Sequence, residues 1–236
     1  MSRLLKTLFL SFMFGALGMS LVAPSLSAQT HYVPHIWVGG HGGATLSEMS
    51  FSPSIKQSFV PGFTFGGAFR FAEERHVGLQ AELNISQRGW QEKFDEGYDF
   101  SYARRLTYVE IPVMTHIFFG SRTFKCIVNL GPEFGYMIAD NISSNFDYKN
   151  PASVPGFPLS NRSTDQMGMD VKNRFDYGIT AGLGFELYLA RRHSVFLEAR
   201  YYFGLGNIYP SGRKDEFSAS RGTSILVTAG YFFRIK

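Results

Sequence analysis

Five glutamates, Glu82, Glu110, Glu133, Glu186 and Glu198, each sit between two apolar residues, and Arg70, Lys125 and Arg200 recur in the same setting, with Arg88 a further candidate. Charges embedded this way can do three kinds of chemistry. A pair of carboxylates can work as general acid and base, a row of them can pass protons or small ions, or opposite charges can neutralise one another inside a packed interior. The third reading is favoured, because an unpaired buried charge is strongly unfavourable, and no second motif supports a catalytic pair. His193-Ser194 is the one Ser/His neighbour pair worth weighing as a nucleophile and base. Adjacent strand residues face opposite sides, so the two cannot readily meet. His31, His35 and His41 lack carboxylates at ligand spacing, and a metal site is not expected. Gly39-Gly40-His41-Gly42-Gly43 lacks the Lys-Ser/Thr and the following helix of a phosphate loop. No cofactor is implied, and no catalytic residues are assigned.

What positions these groups is alternation with period two, the signature of strands with two distinct faces. The clearest run is Tyr177 to Leu189, where Tyr177, Ile179, Ala181, Leu183, Phe185, Leu187 and Leu189 oppose Gly178, Thr180, Gly182, Gly184, Glu186 and Tyr188. Further runs begin near Phe63, Val77, Val109, Phe124, Val195 and Ile225, and a glycine-rich one spans Ile36 to Leu46. In each, one face is apolar and the other carries glycine, polar residues and the charges named above. Eight such strands are expected. Ten residues at about 3.3 Å each, tilted by about 40°, cover roughly 25 Å, the height of the apolar band of an outer-membrane barrel. Phe63, Phe71, Phe119, Phe124, Tyr177, Tyr201, Tyr231 and Phe233, near strand ends, are expected in the aromatic girdles at its two interfaces.

Connection lengths sort in the same sense. Ala72 to His76, Gly120 to Thr123 and Ala190 to His193 are short, whereas 47–61, 88–105, 137–175 and 206–222 are long. Strict short–long alternation predicts short periplasmic turns and longer external loops. The fold expected is therefore all-β, an eight-stranded antiparallel transmembrane up-and-down β-barrel, multi-pass in the outer membrane and in contact with its lipid. An interior of eight strands has room only for side chains. An even strand number places both termini in the periplasm.

The ends and the composition agree. A basic start (Arg3, Lys6), an uncharged apolar stretch from Thr7 to Val22 and the small residues up to Ala28 have the layout of a secretory signal peptide, residues 1–28, leaving one barrel domain over 29–236. Its removal lowers the net charge from +4 to +2 through loss of Arg3 and Lys6, a balance that gives no reason to invoke nucleic acid. The lone cysteine, Cys126, excludes a disulfide framework. The 24 Phe, 12 Tyr and 25 Gly with only 18% charged residues suit aromatic belts and small inward residues.

Four segments together carry a family resemblance: Ser86-Gln87-Arg88-Gly89-Trp90, Tyr108-Val109-Glu110-Ile111-Pro112-Val113, Gly131-Pro132-Glu133-Phe134-Gly135-Tyr136, and Asp176 to Glu186. In this order they resemble the PorT-like outer-membrane β-barrel family of Bacteroidetes, over nearly the whole mature chain. The resemblance implies a non-enzymatic accessory of the type IX protein secretion system, needed for export of surface proteins and docking with other envelope or secretion-system proteins. A structural or surface-interaction barrel with no secretion role is the alternative.

Overall fold

The structure, a computed structural model, describes residues 34–72, 76–159 and 163–235. The proposed signal peptide 1–28, His31 and part of the first short turn, including Arg75, lie outside the described residues. Those described belong to one compact unit, Val33–Lys236.

Alternating apolar and small or polar residues extend the chain into eight long strands: β1 (His35–Ser52), β2 (Val60–Ala72), β3 (Val77–Glu92), β4 (Tyr102–Gly120), β5 (Phe124–Ser144), β6 (Phe175–Ala190), β7 (His193–Gly204) and β8 (Ala219–Arg234). Each pairs antiparallel with its sequence neighbours. Strand β1 pairs with β2 from His35↔Ala72 to Ser47↔Val60 and with β8 from Trp37↔Arg234 to Ser52↔Ala219, which closes the ring. Closure removes the exposed edges that an open sheet would present to lipid. A two-residue fragment, Gln57–Ser58, adds to the end of β3.

The outward face is apolar. Leu79 and Leu83 on β3, Ile111 and Ile117 on β4, and Ile179, Leu183 and Phe185 on β6 are all exposed, as are Leu197 on β7 and Val227 on β8. This much exposed hydrophobic surface is stable only in contact with an apolar solvent. No helix among the described residues is long and apolar enough to cross a membrane, and the strands do the crossing. Phe63, Phe119, Phe124, Tyr177, Tyr201 and Tyr231 are exposed near the ends of this surface, whereas Phe71 and Phe233 are half-buried.

The short turns fall where the sequence places them, between β2 and β3, β4 and β5, and β6 and β7. After β4, Gly120 has φ of 138°, and a Cβ there would lie 2.6 Å from the Phe124 carbonyl oxygen, so this tight turn requires glycine. The long connections are shorter than expected. Strands β1, β3, β4, β5 and β8 run several residues beyond the apolar surface, so the loops shrink to 53–59, 93–101, 145–174 and 205–218. Alternation of buried and exposed residues continues through these extensions, but polar outward residues such as Glu48, Gln87 and Arg105 replace the apolar ones. A search for apolar alternation therefore stops too early.

Candidate functional site, a sealed ionic lumen

The charged residues singled out above come together inside the barrel because each takes an inward position of its strand. Arg70, Glu82, Arg88, Glu110, Glu133, Glu186, Glu198 and Arg200 are all buried. They stack in tiers along the axis. Nearest the short turns, Arg70 donates to both oxygens of Glu186 at 2.8 and 2.9 Å and through Nε to Gln80 at 2.9 Å. Ser194 Oγ also donates to Glu186. In the middle tier Arg200 forks onto both oxygens of Glu82 at 2.8 and 2.9 Å and reaches Glu198 at 2.9 Å. Gln80 and Asn84 donate to Glu82, and Asn129 to Glu198. Such bidentate, amide-supported pairing is what makes buried charge tolerable. The third tier holds Arg88, 2.6 Å from Glu110 and 3.3 Å from Asp176. Tyr202 donates to Asp176 at 2.8 Å, and Glu133 lies in the same electrostatic neighbourhood as Glu110 and Arg88.

Close approach makes room for this. A Cβ at Gly182 would sit 2.0 Å from Glu198 Oε1, so an inward glycine on β6 provides the space that the carboxylate on β7 occupies. Lys125 departs from the expected grouping. It is half-buried near the short-turn end, with its ammonium 4.2 Å from the Phe118 ring and 4.8 Å from that of Tyr188. No ion pair to it is present among the described residues. Ring faces satisfy an isolated cation there. His41 is buried with Nε2 3.6 Å from Glu82. His193 and Ser194 point to opposite sides: Ser194 faces Glu186, while the His193 ring contacts the Tyr231 hydroxyl on the outer face.

Both ends of the ionic column are closed by apolar side chains. At the short-turn end Trp37, Phe118, Ile127, Phe196 and Phe232 pack together, and the Arg70 guanidinium lies 4.0 Å over the Phe232 ring. At the other end lies a larger cluster around Met49, Phe51, Trp90, Tyr102, Leu106, Met167, Tyr209 and Phe217. Residues 145–174 contribute to it. A short helix among them, α1 (Asp165–Gly168), buries Gln166 and Met167. Tyr102 and Tyr209 donate to the Met167 and Gln166 carbonyls, Arg104 donates to the Met169 carbonyl and binds Asp140 through two nitrogens, and Gln166 donates to Glu92. Burial pushes the Tyr209 phenol well above its ordinary value, against the opposing pull of Arg104, so it stays a neutral donor. This stretch is therefore not wholly the free surface its polar sequence suggests.

The chain thus forms a closed eight-strand ring with an apolar exterior and an ionic core. Residues 27–209 match the family described as the outer membrane protein beta-barrel domain. The chain belongs to that family. Among solved structures, OprG from Pseudomonas aeruginosa is similar, with a TM-score of 0.51 and 12% identity over 89% of this chain and 99% of that one. Neisserial surface protein A has a TM-score of 0.42 and 10% identity, covering 84% of this chain and 96% of its own. Ail of Yersinia pestis has a TM-score of 0.40 and 10% identity, covering 84% and 99%. At these identities the likeness concerns the fold. No curated protein matches the sequence. The protein is thus an outer-membrane β-barrel in contact with the lipid of that membrane.

Sequence reasoning missed the polar neutral members of the column, Gln80, Asn84, Asn129 and Tyr202, and also Asp176. Their inward parity was visible in the alternation, but only charge drew attention. It also missed both apolar plugs, because an inward Trp or Phe reads as a break in pattern. The four segments that carry the family resemblance lie on the neighbouring strands β3, β4, β5 and β6, and they contain Arg88, Trp90, Glu110, Glu133, Asp176 and Glu186.

Proposed function

We propose that this barrel is a non-enzymatic accessory of the type IX protein secretion system, working by docking other envelope proteins and needed for export of surface proteins. The observation that supports docking rather than transport or catalysis is the sealed lumen. Arg70 pairs with Glu186, Arg88 with Glu110 and Asp176, and Arg200 with Glu82 and Glu198, and the column lies between two apolar plugs. Lumen groups arranged this way hold the strands in register and fill the interior, which leaves the outer surfaces for function. The secretion role is supported by the four PorT-like segments. Deleting the gene in its host and assaying secreted proteases should show export lost or sharply reduced. Normal export would instead assign the chain to structural or surface-interaction barrels.

The orientation that goes with this reading has the long loops outside and both termini in the periplasm, resting on turn length and on the even number of strands. In a Cys126→Ser background, Ala152→Cys in the longest loop should react with a membrane-impermeant thiol reagent on intact cells. Arg122→Cys, in the turn after β4, should react only after the outer membrane is permeabilised. The reverse pattern would invert the topology.

A further inference from the structure

Where the start of β6 meets the end of β7, at the long-loop end of the apolar surface, the outer wall carries a groove of about 630 Å³. Its lining includes Lys172, Arg174, Tyr136, Phe175, Tyr177 and Asn207, and contains no carboxylate. Lys172 and Arg174 are exposed, and neither makes an ion pair among the described residues. The groove is held open by the chain itself. Asn173 Nδ2 donates to the Asn207 carbonyl at 2.8 Å, and the amides of Leu205 and Gly206 donate to the Tyr177 carbonyl at 2.8 and 3.2 Å. Directly below, Phe134, Phe175 and Tyr177 form a stacked ladder, with centroids 6.5 and 6.2 Å apart, and all three are exposed on the bilayer-facing wall.

We infer that this groove binds the phosphate of a membrane lipid whose headgroup carries net negative charge, with its acyl chains lying along the aromatic ladder. Charge complementarity identifies the headgroup: two cations converge on a hollow that offers no acid, and a phosphate supplies acceptors that Arg and Lys bind well. Continuity with the bilayer-facing wall identifies the rest of the ligand as a lipid rather than a soluble anion. A free phosphate would leave the ladder unused, whereas a lipid anchored below satisfies both halves. Only the naming of the leaflet rests on the proposed orientation. With the long loops outside, the ligand is an outer-leaflet lipid.

Titrating detergent-solubilised barrel with diphosphorylated lipid A and with phosphatidylcholine, read by native mass spectrometry, tests this independently of secretion or topology. Wild type should retain lipid A in preference to the zwitterionic lipid. One basic residue beside anionic lipid contributes about fivefold in affinity, so Lys172→Gln with Arg174→Gln should weaken lipid A binding about twenty-five-fold. The unheated gel mobility of a folded barrel should be unchanged, because both side chains are exposed. Phe175→Ala should also weaken binding, and Arg213→Gln with Lys214→Gln, exposed but outside the groove, should not. Equal losses in both charge-pair variants would overturn the assignment, since they would reflect diffuse attraction alone. So would competition by inorganic phosphate at the same concentration, which would make the ligand a soluble anion, or an undiminished complex with the Lys172/Arg174 double variant.

Discussion

Replacing Arg200 with methionine should destabilise the folded barrel by about 3–5 kcal/mol, the cost of leaving a buried ion pair without one partner. Among the described residues Arg200 is the one cation in ion-pair contact with Glu198, and it also pairs with Glu82. Both carboxylates have fully buried side chains. Their remaining donors, Gln80, Asn84 and Asn129, are neutral amides that can hold a carboxylate but cannot cancel its charge. Urea unfolding in detergent, followed by the mobility shift between unheated and heated samples, measures the loss. Adding Glu82→Gln and Glu198→Gln to the Arg200→Met variant should recover most of it, because the amides keep the hydrogen bonds and carry no charge. Strictly additive losses without recovery would mean that the three residues do not act as one unit.

The second large effect is expected in the plug at the long-loop end. Trp90 is completely buried, with ring centroids 5.3 Å from Phe51 and 6.4 Å from Tyr209 and with the Arg104 guanidinium 5.6 Å from its centroid. Trp90→Ala removes the side chain around which the long-loop end of the lumen packs, and truncations of this size in a core cost about 3–5 kcal/mol. Residues 145–174 reach inward against the same cluster through Met167 and Phe157. The variant should therefore also be cut faster by protease within that loop. Leu183→Ala, on the lipid face and 66% exposed, is the comparison. It should leave loop proteolysis at the wild-type rate. Equal protection of the loop in the Trp90 variant would show that the plug does not hold it.

Much of the fold was legible because a barrel wall obeys a simple rule. One face meets lipid, so every second residue on β6 is apolar, and the other face must pair its polar groups, so Glu186 and Glu198 on inward positions announce a partner. What alternation could not give is which partner. Arg70 and Glu186 are 116 residues apart, as Arg200 and Glu82 are 118 apart, and only the closure of β1 onto β8 brings such pairs across the lumen. Nor could it give the tops of the strands. Beyond the bilayer the outward face becomes polar while the inward face becomes apolar, so the parity at Met49, Phe51, Trp90 and Tyr102 is inverted relative to the lipid-facing stretch. The same inversion hid the inward fold of Gln166 and Met167, which sit in a stretch whose composition reads as a solvated loop. Parity alone groups Lys125 with the ion column, but its level beside Phe118 and Tyr188 gives it rings as partners.

Single-channel recording of the purified protein in planar bilayers bears most directly on the central claim, that the lumen is a closed structural column and not a path. An interior of eight strands filled by side chains, with an apolar plug at each end, predicts little or no steady current at any moderate voltage. Current should stay at the baseline of protein-free bilayers even after prolonged incubation. Large, stable openings would contradict a sealed lumen and return transport to the centre of any account of this barrel.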